Sequence, residues 1–204
     1  MTVQHSALTG AELHEPKGAA AASANTVYVA TGAGSGAWTS FTTWLLATIA
    51  ATPTEIARWC DVSARLISGG STLSATEAAH DGKVVLLNSL TGSVVTLPAA
   101  TGSGAKILFK VSVLATSNSH IVKVANASDI IQGVILTVDT DTAGTVTGWA
   151  SGASDDTITL NRSTSGSTMR GEWIELLDTL TNVWTVRGCL ACTGSAVTPF
   201  SATV

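Results

Sequence analysis

A period-two alternation of apolar and polar residues runs through residues 62–204 and restricts that part of the chain to β-structure. In Lys106–Leu114, Ile107, Phe109, Val111 and Val113 fall on one face of an extended strand, and Lys106 and Lys110 fall on the other. The first four are therefore expected in a core and the two lysines in solvent. Comparable short runs occur at Val62–Ile67, Lys83–Leu90, Val94–Leu97, His120–Ala125, Ile130–Val138, Thr145–Trp149, Thr157–Leu160, Glu172–Leu177 and Val183–Arg187. Turn-forming clusters separate many of them, among them Asp81-Gly82, Thr101-Gly102-Ser103-Gly104, Ser117-Asn118-Ser119 and Thr181-Asn182. Short alternating strands with turns between them predict an all-β fold, an antiparallel β-sandwich of jelly-roll-like topology. No helical pattern between the runs points to a parallel sheet. No repeat of fixed period appears, which argues against a propeller or a solenoid.

The preceding residues have a different character. Residues 1–37 contain no long apolar pattern: Glu15-Pro16-Lys17-Gly18, an alanine-rich run, the strand-like Thr26-Val27-Tyr28-Val29-Ala30 and the glycine-rich Thr31–Gly36 follow one another. Ordering a backbone costs roughly 1–2 kcal/mol per residue, and nothing here forms a core to offset it. The absence of charge runs also argues against a solvated tail. The segment is therefore expected to be an extended N-terminal arm laid along something else. Leu8, Leu13, Val27, Tyr28, Val29 and Trp38 are its sizeable apolar anchors, and Pro16 keeps the path extended. Tyr28, between two valines, suits addition as an edge strand to another sheet. Residues 38–61 bridge the arm and the body. Phe41, Trp44, Leu45 and Ile49 have helical spacing with Ser40 as a cap, two short strands are the competing reading, and Pro53 breaks the segment either way.

Charge and motifs narrow the function. Only 12% of residues are charged, about half the usual share, and the net charge is −4, which excludes a generally basic nucleic-acid binder. No apolar run reaches the roughly 18 residues of a membrane span, and the start lacks the basic-then-apolar pattern of a secretory signal. Cys60, Cys189 and Cys192 are too few for a disulfide framework. Cys189-Leu190-Ala191-Cys192 has no second ligand pair for zinc, because His5, His14, His80 and His120 are isolated. Gly32-x-Gly34-x-Gly36 is not a dinucleotide fingerprint, and no nucleophile-elbow, zinc-protease or P-loop motif occurs. Asp139-x-Asp141 and Asp155-Asp156 read as turn carboxylates. Glu172 and Glu175 stand three apart on a strand and so face opposite sides, unsuited to a catalytic pair. No catalytic residue, metal or cofactor is expected, and the six tryptophans read as core or interface packing.

The stretch from His5-Ser6-Ala7-Leu8 through Glu15-Pro16-Lys17-Gly18 to Val27-Tyr28-Val29 and Trp38 resembles the N-terminal arm of tailed-bacteriophage virion proteins. Gly92-Ser93-Val94-Val95-Thr96-Leu97-Pro98 continuing to Gly104, Trp173-Ile174-Glu175-Leu176 and Thr198-Pro199-Phe200-Ser201 are similar to phage head-decoration, cement and head-fibre proteins. The resemblance implies a non-enzymatic capsid decoration protein on the outer surface of the virion, made in the bacterial host cytoplasm. It would bind the major capsid protein and bridge its subunits, form a homotrimer with itself, and contact neither nucleic acid nor membrane. The arm residues Leu8, Leu13, Pro16, Val27, Tyr28, Val29 and Trp38 would make the capsid contact. The alternative within the same class is a head-fibre or tail-fibre component with a virion-docking N-terminal arm and host-glycan binding.

Overall fold

The computed structural model describes residues 23–32, 35–41, 43–44 and 65–204. The chain divides into two compact units, Met1–Val62 and Ser63–Val204.

In the first unit, β1 (Thr26–Gly32) pairs antiparallel with β2 (Ser35–Ser40). The strand-like Thr26–Ala30 therefore does not run on as an extended arm. It pairs with the following segment, Gly32 standing opposite Ser35. The hairpin also crosses the expected boundary between residues 37 and 38. Its open end is tied by Phe41 N–H donating to Asn25 O at 2.9 Å and by Thr26 Oγ1 donating to Ser23 O at 2.7 Å. Helical backbone begins at Phe41, and Ser40 Oγ caps it by accepting from Thr43 N–H at 3.0 Å. The expected continuation through Leu45 and Ile49, and Pro53, lie outside the described residues.

Among its described residues, the second unit is all-β apart from one helical turn. In chain order it contains β3 (Leu66–Ser68), β4 (Thr72–Ser74), α1 (Glu77–His80), β5 (Lys83–Leu87), β6 (Val94–Thr96), β7 (Lys106–Val111), β8 (His120–Lys123), β9 (Ile130–Asp139), β10 (Val146–Ala150), β11 (Thr157–Leu160), β12 (Trp173–Leu180), β13 (Val183–Cys192) and β14 (Phe200–Ser201). A seven-stranded sheet has the order β10-β9-β13-β12-β7-β5-β3, and a five-stranded sheet the order β14-β11-β8-β6-β4. One buried cluster draws on both, with Val85, Phe109, Ile174 and Trp184 from the larger sheet and Val95, Val122, Ile158 and Leu160 from the smaller, so the sheets enclose a common core.

The sheets are mixed, where the alternation predicted antiparallel pairing throughout. β3–β5, β5–β7, β4–β6, β6–β8 and β9–β13 are parallel. From β3 to β8 the chain steps between the sheets, and each return lays a strand beside its predecessor, a coil of three turns. The turns differ in length, Leu66 standing beside Val84 and Val84 beside Leu108, which is why no fixed period marks them in the sequence. Ile107, Phe109 and Val111 are buried and Lys106 and Lys110 exposed, as the alternation predicts. Val113 lies beyond the end of β7 and is half-buried.

Two interior features fix the packing. Gly133 of β9 stands beside Val186 of β13 with φ of 146°, and a Cβ there would lie 2.0 Å from Val186 O. Only glycine lets the two backbones approach so closely. His120, fully buried, accepts from Ser93 N–H at Nδ1 (3.0 Å), and its Nε2 lies 2.9 Å from Val113 O. The N–H of Ser93 requires an unprotonated Nδ1, so the ring is neutral with its proton on Nε2. Burial holds its pKa below the ordinary 6.5, against the smaller opposing pull of the Val113 carbonyl.

Gly133→Ala is expected to destabilise the body by roughly 3 kcal/mol or more, read as a fall in the urea midpoint. Gly144→Ala, at an open turn with φ of 80° and no atom near the added Cβ, is expected to cost only about 1 kcal/mol. The His120 arrangement makes stability depend on pH in a defined sense. Above pH 6.5 folded and unfolded states are both neutral at this ring. As pH falls from 6.5 through the depressed folded value, the unfolded chain takes up a proton that the folded chain refuses, and stability falls by up to about 1.4 kcal/mol per pH unit. His120→Asn should flatten that slope in urea titrations between pH 7.5 and 5, and an unchanged slope would contradict the assignment.

Candidate functional site

The strands of the larger sheet are apolar at both parities. Ile130-Ile131-Gln132-Gly133-Val134-Ile135-Leu136-Thr137-Val138 shows this most clearly, followed by Val84-Val85-Leu86-Leu87 and Ile107-Leu108-Phe109. Near-continuous apolar runs belong to strands covered on both faces. One face of this sheet meets the shared core through Ile131, Ile135, Leu176, Trp184 and Leu190. The other carries Val134, Leu136 and Val138 of β9 at 50%, 47% and 38% exposure, Val146 of β10 at 54% and Leu66 of β3 at 58%.

Strand register aligns these side chains. One row across the sheet reads Gly148, Leu136, Cys189, Trp173, Lys110, Leu86, and the next reads Ala150, Val134, Arg187, Glu175, Leu108, Val84. In the second row Glu175 accepts from Arg187 Nε at 2.8 Å, with Arg187 Nη2 at 2.7 Å and Lys106 Nζ at 3.9 Å. Beside the first row, Val138, Thr140, Met169, Arg170, Trp173 and Ala191 line part of an open cavity of about 340 Å³.

The buried carboxylates do different work: each holds a loop by its backbone. Asp178 of β12 accepts from the N–H groups of Thr101, Gly102 and Ser103 at 3.0, 2.8 and 3.0 Å, and from Thr101 Oγ1 at 3.2 Å. Burial pushes its carboxyl up, but those bonds outweigh it and hold the pKa below the ordinary 3.8. Asp156 similarly accepts from Thr203 N–H (2.8 Å), Val204 N–H (3.1 Å) and Thr157 Oγ1 (2.7 Å), and its pKa is lowered despite burial. Glu172 accepts from Ser167, Thr168 and Met169 N–H at 2.6, 2.8 and 2.5 Å; here burial prevails and the carboxyl titrates above its ordinary 4.5. Asp129 accepts from Ala100 N–H at 3.0 Å and Asn126 Nδ2 at 2.9 Å. Glu172 is buried while Glu175 lies on the outer face, the opposite-face arrangement expected from their spacing.

Cys189 and Cys192 are both free thiols. On one strand their odd separation sends them to opposite faces, so they neither bridge nor chelate together. Cys189 lies in the outer row, and the buried Cys192 Sγ lies 3.6 Å from Val138 O. Burial, aided by Asp139, Asp141 and Glu172, pushes the Cys192 thiol above its ordinary 9.0. No group of three or more His, Cys, Asp or Glu among the described residues is placed to hold a metal.

Of the expected partner-binding residues, Leu8, Leu13 and Pro16 lie outside the described residues. The other four sit on the hairpin, all half-buried. Tyr28 and Trp38 are cross-strand neighbours whose rings meet edge to face at 5.4 Å and 64°. Val27 and Val29 alternate with Tyr28 and so lie on the opposite face of the hairpin, beside Thr39 and Ala37. The outer-sheet residues were absent from the expected site. The signal for them was the doubly apolar run in Ile130–Val138.

Asp178→Asn is expected to lower the unfolding free energy by roughly 3 kcal/mol, because it puts an amide nitrogen among N–H donors. Differential hydrogen exchange should show Thr101–Ser103 losing protection. Retention of protection there would remove Asp178 from its stapling role.

Compared with known proteins, the chain matches no family model, no curated protein and no solved structure.

Proposed function

We propose that this protein is a non-enzymatic structural component of a tailed-phage virion, a capsid decoration or cement protein. In this reading it attaches to the outer capsid surface, bridges major capsid protein subunits and self-associates as a homotrimer. The observation that carries the reading is the use of the buried carboxylates. Asp129, Asp156, Glu172 and Asp178 are spent on loop backbone and side-chain amides, which serves a hard-wearing body rather than a reaction centre. The jelly-roll belongs to this proposal as a description of layering only, since half of the body's strand pairings are parallel.

The grip is assigned to the first unit. A two-stranded hairpin is marginal alone, and it gains most by laying an aromatic face or an open strand edge against a partner. Tyr28 and Trp38 supply that face and Val27 and Val29 the reverse side; Leu8, Leu13 and Pro16 extend the contact along the sequence. The second reading, a head-fibre or tail-fibre component, is favoured by the coil of β3–β8, because stacked turns define an axis along which a shaft extends.

The experiment is binding of the full chain to phage heads that lack it. Bound copies are expected in proportion to the shell subunits, whereas a handful per particle supports the fibre. The double variant Tyr28→Ala, Trp38→Ala is expected to weaken retention at least tenfold, a loss of about 1.4 kcal/mol, with the thermal unfolding of the body unchanged. Undiminished retention would remove the hairpin from the contact, and no binding to any head would remove the capsid reading.

A further inference from the structure

We infer that the outer face of the seven-stranded sheet is a self-association interface, covered by a second copy of this chain. The inference rests on the self-association in the reading above and on no part of its attachment to a capsid.

The first argument is extent. Seven strands about 4.8 Å apart, averaging about six residues at 3.3 Å each, present roughly 600 Å². Two such surfaces in contact bury roughly 1,200 Å², the lower bound of stable specific interfaces. The second is composition. Leu66, Val134, Leu136, Val138 and Val146 stand out from this face with the half-buried Trp173 among them. They share the face with Lys106, Lys110, Glu175 and Arg187, so the apolar part is an aromatic-anchored patch within a mixed surface, a composition that protein interfaces share.

The third argument concerns timing. An exposed apolar patch invites association from the moment the sheet forms, and a cover present at synthesis and in equal number answers that need. A second copy meets both conditions by construction, whereas a shell met later meets neither. Glu175 is already neutralised within the sheet by Arg187 and Lys106, so covering this ion group does not strand its carboxylate; Lys110, exposed in the row beside Trp173, is a cation that the contact must leave solvated.

The test is sedimentation of the full chain over a micromolar concentration series, with two variants. The unaltered chain is expected to be oligomeric. Leu136→Lys places an ammonium on the face and is expected to weaken association at least a hundredfold, with the far-ultraviolet circular dichroism unchanged. Leu90→Lys, at an exposed site outside the sheet, should leave association intact. Should Leu136→Lys fail to fold, the unaltered chain still decides through Cys189, which sits in the row between Leu136 and Trp173. Its maleimide labelling, read by peptide mass, should quicken at least tenfold on dilution. A monomer at all concentrations, an oligomer indifferent to Leu136→Lys, or labelling of Cys189 independent of dilution would each overturn the inference. Binding to phage heads is read separately. An oligomer that binds no head leaves this inference standing and removes the capsid reading; a monomer that binds heads does the reverse.

Discussion

The seven-stranded sheet has apolar side chains on both faces, and water is a poor neighbour for either. One face is covered by the five-stranded sheet, whose Val95, Val122, Ile158 and Leu160 complete a single core with Val85, Phe109 and Trp184. That requirement brings the chain back and forth between the sheets from β3 to β8, since each turn of the coil adds one strand to each layer. It also sets the demand on the loops. They must cross the ends of the sandwich with few apolar anchors, such as Leu97 and Ala105, and buried carboxylates add fixings: Asp178 holds Thr101–Ser103, and Glu172 holds Ser167–Met169. Each such carboxylate exchanges its hydration for several N–H donors that would otherwise lack partners.

The strands were legible because a half-buried strand writes its burial into alternate residues, and Ile107, Phe109 and Val111 did so between two lysines. Strand direction was not legible, because a period of two is the same beside a parallel neighbour as beside an antiparallel one. The usual clue to parallel pairing, a crossover helix, was missing: the link from β4 to β5 contains a single helical turn, capped by Thr76 and ending at His80. The carboxylate fixings were half legible. Asp178 falls at the same parity as Ile174 and Leu176, which marks it as a polar group on the core side. Its partners lie far back in the chain, and no local pattern connects them. The hairpin was read as open because Thr26–Ala30 looks like a strand without a neighbour, yet its neighbour was the Trp38 segment that follows it.

The two units carry different kinds of surface. The hairpin offers a small aromatic surface, with Tyr28 against Trp38. The body offers a broad apolar face and a chain stiffened at its loops.

The central place of β13 has a consequence for how the body is made. β13 is the last long strand in the chain, yet it stands in the middle of the larger sheet, parallel to β9 and antiparallel to β12. Until it arrives, β9 with β10 and β12 with β7, β5 and β3 are separate ribbons with raw edges facing one another. Growth of the chain therefore cannot complete the body piece by piece. Val183–Cys192 joins the ribbons, and because Gly133 meets Val186 at that junction, it admits little error in register. The coil of β3–β8 and the β9–β10 ribbon, consecutive in sequence but kept apart in the sheet by β12 and β13, are thereby bound into one layer, and the loss of β13 would separate them.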